Sequence, residues 1–130
     1  MSRRLKLSLL QETCAICRLA PGSPIPSWVQ SGDYWSITRT PEELSVVVPE
    51  AQVPQGVTAS RGWRALRFAG PLPLDQTGIL ASVTAPLAAA HISVFALATF
   101  STDFVLIPAA QQRAAIDALE RAGHAVLSDY

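Results

Sequence analysis

The chain has 130 residues, with ten basic and ten acidic side chains and no formal net charge. Apolar residues make up 49% and charged ones only 15%, against a usual charged share of about 25%. This balance excludes a disordered chain, which needs low hydrophobicity and high net charge, and a generic nucleic-acid binder, which needs a net positive field.

Taken in chain order, period-two patterning dominates the first half. Leu5, Leu7 and Leu9 alternate with Lys6 and Ser8, which predicts a strand over 5–10. A second short apolar run covers 14–19, and the Pro/Gly/Ser cluster at 21–26 predicts a turn. One helical turn is expected over 27–30, then strands over 34–39 and 44–48 joined by the turn Thr40-Pro41-Glu42-Glu43. Pro49 and Pro54 close that region, and a strand returns over 63–68. Asp75 or Thr77 can cap a helix starting near Gly78, with Ile79, Leu80, Val83 and Leu87 at helical spacing and an end near Ala90. A buried strand follows over 92–98, a turn over 101–103 and a strand over 104–107. Pro108 opens a second helix with Ala115, Ile116, Leu119 and Ala122 on one face, Gly123 stops it, and 125–127 is a last strand.

The order from Trp63 is strand, helix, strand, strand, helix, strand. It predicts an α+β fold: a ferredoxin-like βαββαβ domain over 63–130 behind a shorter, β-rich half over 1–62. The halves share a weak repeat. Each has a strand, an acid-bearing turn, a strand and a proline, and the turns match at a spacing of about 60 residues. That spacing sets Glu43 against Asp103 and leaves the closing prolines one residue out of step.

No apolar run reaches the roughly 18 residues that span a bilayer. The stretch 77–102 carries no charge but is broken by Pro86 and holds Thr84, His91 and Ser93. Behind Ser2-Arg3-Arg4, the alternating segment is too short for a secretion signal. A cytoplasmic protein with no membrane partner is the expectation. Cys14-Ala15-Ile16-Cys17 has redox-like spacing, but in a strand the two side chains diverge, and a redox pair needs a helix start beside it. Structural cysteines are expected, and no metal site. His91 and His124 read as end-of-helix residues that favour the dipole, and Trp28, Trp35 and Trp63 as packing residues between the halves.

The stretch Thr77-Gly78-Ile79-Leu80-Ala81-Ser82-Val83-Thr84-Ala85-Pro86-Leu87, followed by Ile92-Ser93-Val94-Phe95-Ala96 and by 99–106, resembles an ACT domain. More narrowly it is similar to small bacterial proteins with two ACT-like halves and to the animal CASTOR arginine-sensor family. The resemblance is strong over 63–126 and looser over 5–54. It implies a regulatory module that binds a free amino acid between two ACT copies, and no catalysis.

The loop at 75–78 stands at a helix start, where unpaired N–H groups and the helix dipole favour a carboxylate. The resemblance implies that Thr77, Gly78, Ile79 and Leu80 hold the ligand's α-carboxylate. Asp103 can pair with an ammonium, with Thr99 and Ser101 as acceptors beside it. Val94, Phe95 and Ala96 would form an apolar wall, and Thr38, Thr40 and Glu43 are the polar groups of the first half. No catalytic residue and no cofactor is expected. The chain has no asparagine, which disfavours the Arg–Asn chemistry of ferredoxin-like acyl phosphatases. The implied function is an amino-acid sensor that bridges two halves or two protomers, as a homodimer, and signals to a regulated protein. The alternative is a ligand-free interaction module that pairs through exposed sheet edges.

Overall fold

The computed structural model describes residues 4–128. Ser2 and Arg3 of the basic start lie outside the described residues. The elements are β1 (Lys6–Leu19), β2 (Ser36–Arg39), β3 (Leu44–Pro49), β4 (Thr58–Phe68), α1 (Ile79–Ala89), β5 (Phe95–Ala98), β6 (Asp103–Pro108), α2 (Gln112–Arg121) and β7 (Ala125–Ser128). Short 3-10 turns stand at Ser27–Val29, Glu50–Gln52 and Ala109–Gln111. From β4 onward the strand–helix–strand–strand–helix–strand order is the expected one.

Two compact units form, and the division departs from the expected one at the N-terminus. Glu12–Trp63 make one unit; the described residues up to Gln11 join those from Arg64 onward in the other. The reason is burial. Leu7 and Leu9 enter the same apolar cluster as Leu66, Phe68, Val83, Ile107 and Leu119. β7 runs parallel to this part of β1, from Lys6 against Ala125 to Leu9 against Ser128. On the other side the Ala69 N–H donates to the Lys6 carbonyl at 2.8 Å. The strand order here is β7-β1-β4-β6-β5. β1 is also one strand of 14 residues, where the sequence pattern predicts two runs.

In α1, Ile79, Val83 and Leu87 repeat every fourth residue and are buried. Each contributes about 1.5–3 kcal/mol by leaving water. The N-cap position falls on neither Asp75 nor Thr77. The N-cap is Gly78, in the left-handed region at φ 80°, with no side-chain cap hydrogen bond. Glycine reaches that conformation without steric cost.

Both helices close with a paired 5→2 and 6→1 hydrogen-bond cap. After α1, the His91 N–H donates to Ala88 O and the Ile92 N–H to Leu87 O. After α2, the Gly123 N–H donates to Glu120 O and the His124 N–H to Leu119 O. His91 therefore takes the left-handed position (φ 60°) that Gly123 (φ 100°) takes in the second helix. Ile92 is committed to the cap and to the core, so β5 starts at Phe95 rather than at Ile92. Pro108 ends β6 instead of opening α2, which begins after a 3-10 turn and buries Ala115, Ala118 and Leu119.

His124 stands at the end of α2, as expected, and its side chain is buried. It is 5% exposed. Its Nδ1 accepts from the Leu5 N–H at 3.1 Å, and its Nε2 lies 2.9 Å from the Ser82 carbonyl. Since Nδ1 accepts, the ring proton sits on Nε2 and donates to Ser82 O.

The other unit is built of strands and 3-10 turns. The Cys14–Leu19 part of β1 pairs antiparallel with β3, and β3 with β2. Ala15, Cys17, Val29, Leu44, Val46 and Val48 form its core, with Trp28 packed against it. Trp35 is 45% exposed, contrary to the packing role expected for it. Both cysteines are buried, and neither forms a disulfide. Burial pushes the Cys17 thiol above its ordinary 9.0, with Arg61 pulling weakly the other way, so it is held as the unreactive thiol.

The repeat is visible as two equivalent hairpins, in a register one residue shorter than the sequence reading uses. The Thr40 N–H donates to Glu43 O and the Thr99 N–H to Thr102 O, both at 2.9 Å. In each turn the leading threonine hydroxyl also bonds the backbone three residues on. Ser36 pairs with Val47 as Phe95 pairs with Leu106. This register brings Pro49 and Pro108 into step, each followed by a 3-10 turn. It also sets Glu43 against Thr102, so Glu43 is not the counterpart of Asp103. The first-half equivalent of Asp103 is the buried Leu44.

Candidate functional site

The unit holding both helices has an open cleft of about 220 Å³ at the start of α1. Three chain segments form it. The loop after β4 supplies Leu72, Pro73, Leu74 and Gln76; the first turn of α1 supplies Gly78, Ile79, Leu80 and Ala81; the β5–β6 hairpin supplies Thr99, Phe100, Thr102 and Asp103.

The segments are tied together by backbone bonds. The Leu72 N–H donates to Ser101 O at 2.6 Å, which fixes the loop to the hairpin tip. The Thr102 hydroxyl donates to Phe68 O at 2.6 Å, which fixes the hairpin to the end of β4. At the floor, the amides of Ile79, Leu80 and Ala81 have no acceptor inside the helix, since intrahelical bonding begins with the Ser82 N–H donating to Gly78 O at 3.0 Å. These amides and the dipole make the floor favourable to an anion.

Among the described residues, Asp103 is the one charged residue lining the cleft. It opens β6 opposite Ala98, and its carboxylate makes no hydrogen bond or ion pair among the described residues. The Thr99 and Thr102 hydroxyls are engaged within the hairpin and with Phe68 O. The rims are apolar and open: Leu74 is 71% and Phe100 82% exposed. An anion-favouring floor, one carboxylate and apolar walls suit the capture of a small zwitterion.

Of the residues expected at a site, the structure brings Gly78, Ile79, Leu80, Thr99 and Asp103 to this cleft. Thr77 precedes Gly78 on the exposed surface, outside the lining. Ser101 contributes its carbonyl to the frame, not its hydroxyl to the cleft. Val94 packs against the core, while Phe95 and Ala96 stand in β5 away from the lining. Thr38, Thr40 and Glu43 belong to the other compact unit. Sequence reasoning missed Leu72, Leu74 and Ala81, and gave Gln76 and Phe100 no role although it singled out the segments that hold them. Their signal is two leucines in a proline-rich loop and an aromatic at a hairpin tip, both places where an apolar side chain has nothing of its own to bury against.

Comparison with known proteins agrees with this architecture. The ACT domain family matches residues 58–121, and a second family, describing an N-terminal domain, matches 12–56. The crystal structure of protein Atu0741 from Agobacterium tumefaciens is 37% identical, covers 99% of this chain and 96% of its own, and has a TM-score of 0.94. Residues 58–121 of the chain belong to the ACT-domain family.

More distant likenesses follow. The regulatory subunit of aspartate kinase from Thermus thermophilus, in its ligand-free form, shares the fold at 15% identity and a TM-score of 0.60, over 85% of this chain and 93% of its own. The human putative protein CASTOR3P is 37% identical over 57% of this chain and 53% of its own length. The cytosolic arginine sensor for mTORC1 subunit 1 from Rattus norvegicus is 40% identical over 50% of this chain and 20% of its own. The chain thus spans about half the length of one of these curated relatives and a fifth of the other.

Proposed function

We propose that this protein is a non-catalytic, cytoplasmic amino-acid sensor, with its ligand held in the cleft at the start of α1. The observation that carries the reading is the meeting of the Ile79–Ala81 amides with the unpaired Asp103 carboxylate in one cleft of an ACT domain. The amides take the α-carboxylate and Asp103 the α-ammonium. The names of the similar proteins, a cytosolic arginine sensor and a regulatory subunit, support a sensing role.

The exposed Leu74 and Phe100 leave the mouth uncovered. A second protomer closes it, so the ligand sits at an interface between two ACT copies of a homodimer. Regulation then follows from differential affinity: a ligand that binds one packing of the protomers better shifts the population toward it, and a regulated protein reads the result.

The test is a thermal-shift screen with the twenty amino acids. A ligand at 100 times its dissociation constant adds about 2.7 kcal/mol, so one or a few should raise the melting temperature clearly. A flat screen at millimolar concentration, with a stable complex to another protein, would favour the interaction-module reading.

A further inference from the structure

We infer that Gly70 is a positioning residue of the cleft: the absence of a side chain there lets the β5–β6 hairpin close onto the loop after β4, and so sets the width of the mouth. Its effect on a ligand rests on the sensor reading above. Gly70 does not line the cleft, so it acts only through the residues that it lets meet.

The reason for a glycine at this place is space. Six of the seven glycines have a positive φ, and Gly70 is the exception. Its backbone conformation therefore does not call for a glycine. A Cβ on Gly70 would stand 3.0 Å from Ser101 O, 3.3 Å from Thr102 Cβ and 3.6 Å from the Leu72 nitrogen. The first and last of these atoms are the acceptor and donor of the 2.6 Å hydrogen bond that joins the loop to the hairpin. The second belongs to the residue whose hydroxyl makes the other tie, to Phe68 O at 2.6 Å. Backbone atoms and a Cβ cannot rotate out of the way, so a side chain at this place pushes the hairpin off by a few tenths of an ångström.

That displacement reaches the site. The hairpin carries Thr99, Phe100, Thr102 and Asp103 into the lining, and the loop carries Leu72 and Leu74. α1 stays where Ile79 and Val83 anchor it in the core. A shifted hairpin therefore moves Asp103 against fixed amides. Where function depends on geometry, a misplacement of about 1 Å costs about 100-fold, so a few tenths should cost about tenfold.

Amide hydrogen exchange tests the contact without any ligand. In Gly70→Ala the Leu72 N–H should exchange about tenfold faster, while the amides of α2 keep their rates. Unchanged exchange at Leu72, or equal acceleration throughout the chain, would overturn the role of Gly70. Calorimetric titration with each of the twenty amino acids then reads the site. Any that binds the unsubstituted protein should bind Gly70→Ala about tenfold more weakly. Thr102→Val, which loosens the same hairpin from its other tie, should also bind more weakly, and Thr102→Ser should restore binding. Undiminished affinity in Gly70→Ala, or in Thr102→Val should Gly70→Ala not fold, would overturn the inference. Binding by none of the twenty would overturn the sensor reading, and exchange at Leu72 would still decide the role of Gly70.

Discussion

His91 and Gly123 hold the same place in two successive helix caps, and only one of them is a glycine. A non-glycine residue in the left-handed region costs roughly 1–2 kcal/mol, and the His91 side chain is exposed. His91→Gly should therefore raise stability by about 1 kcal/mol, offset partly by the greater freedom of glycine in the unfolded chain; chemical denaturation reads the change. An unchanged or lower stability would mean that the imidazole makes up the strain. The other histidine illustrates a limit of sequence reading. His91 and His124 look alike in the chain, each after a helix and before a strand. Which of them is buried depends on what passes overhead. For His124 it is Leu5, which lies at the far end of the sequence and leaves no local mark.

At the scale of elements, α1 is the part that positions the site, and two links hold its first turns. Ile79 and Val83 anchor it in the core, and His124 joins Ser82 O to the Leu5 backbone. Removing the ring leaves a part-buried carbonyl and a part-buried N–H without this partner, at up to about 1–3 kcal/mol each. His124→Ala should lower stability by about 2 kcal/mol or more, measured by urea denaturation, whereas His124→Gln should retain part of it. Equal losses in both variants would show that packing, not hydrogen bonding, is what the ring supplies. The helices and the strands of both hairpins were legible because their signals are local: four-residue spacing in α1, short apolar runs at 44–48 and 104–107, and polar turn residues before each of those runs. Register was less so. Pairing Glu43 with Asp103 matched the residue types of two acids, whereas the hydrogen bonds match Thr40 with Thr99 and carry the rest of the ladder with them.

For the whole molecule, the low charge of the chain has a structural counterpart. The stretch from Gly78 to Thr102 carries no charge, and it forms α1, β5 and part of the cleft. The family and the helix-start half of the site could be read from 77–87, because amides at a helix start need only a helix start. The apolar rim could not, because Leu72, Leu74 and Phe100 come together only when the loop after β4 bonds to the β5–β6 hairpin. The place of β1 beside β7 was equally hidden, since parallel pairing between the two ends of a chain has no turn to announce it. The central claim is that the first-turn amides of α1 receive the ligand's carboxylate. A titration followed by amide NMR, with the amino acid that most raises the melting temperature, tests it most directly. The account predicts saturable shifts concentrated at the amides of Ile79, Leu80 and Ala81, with Asp103 moving in step. Saturable shifts elsewhere in the chain, with those amides unmoved, would contradict it.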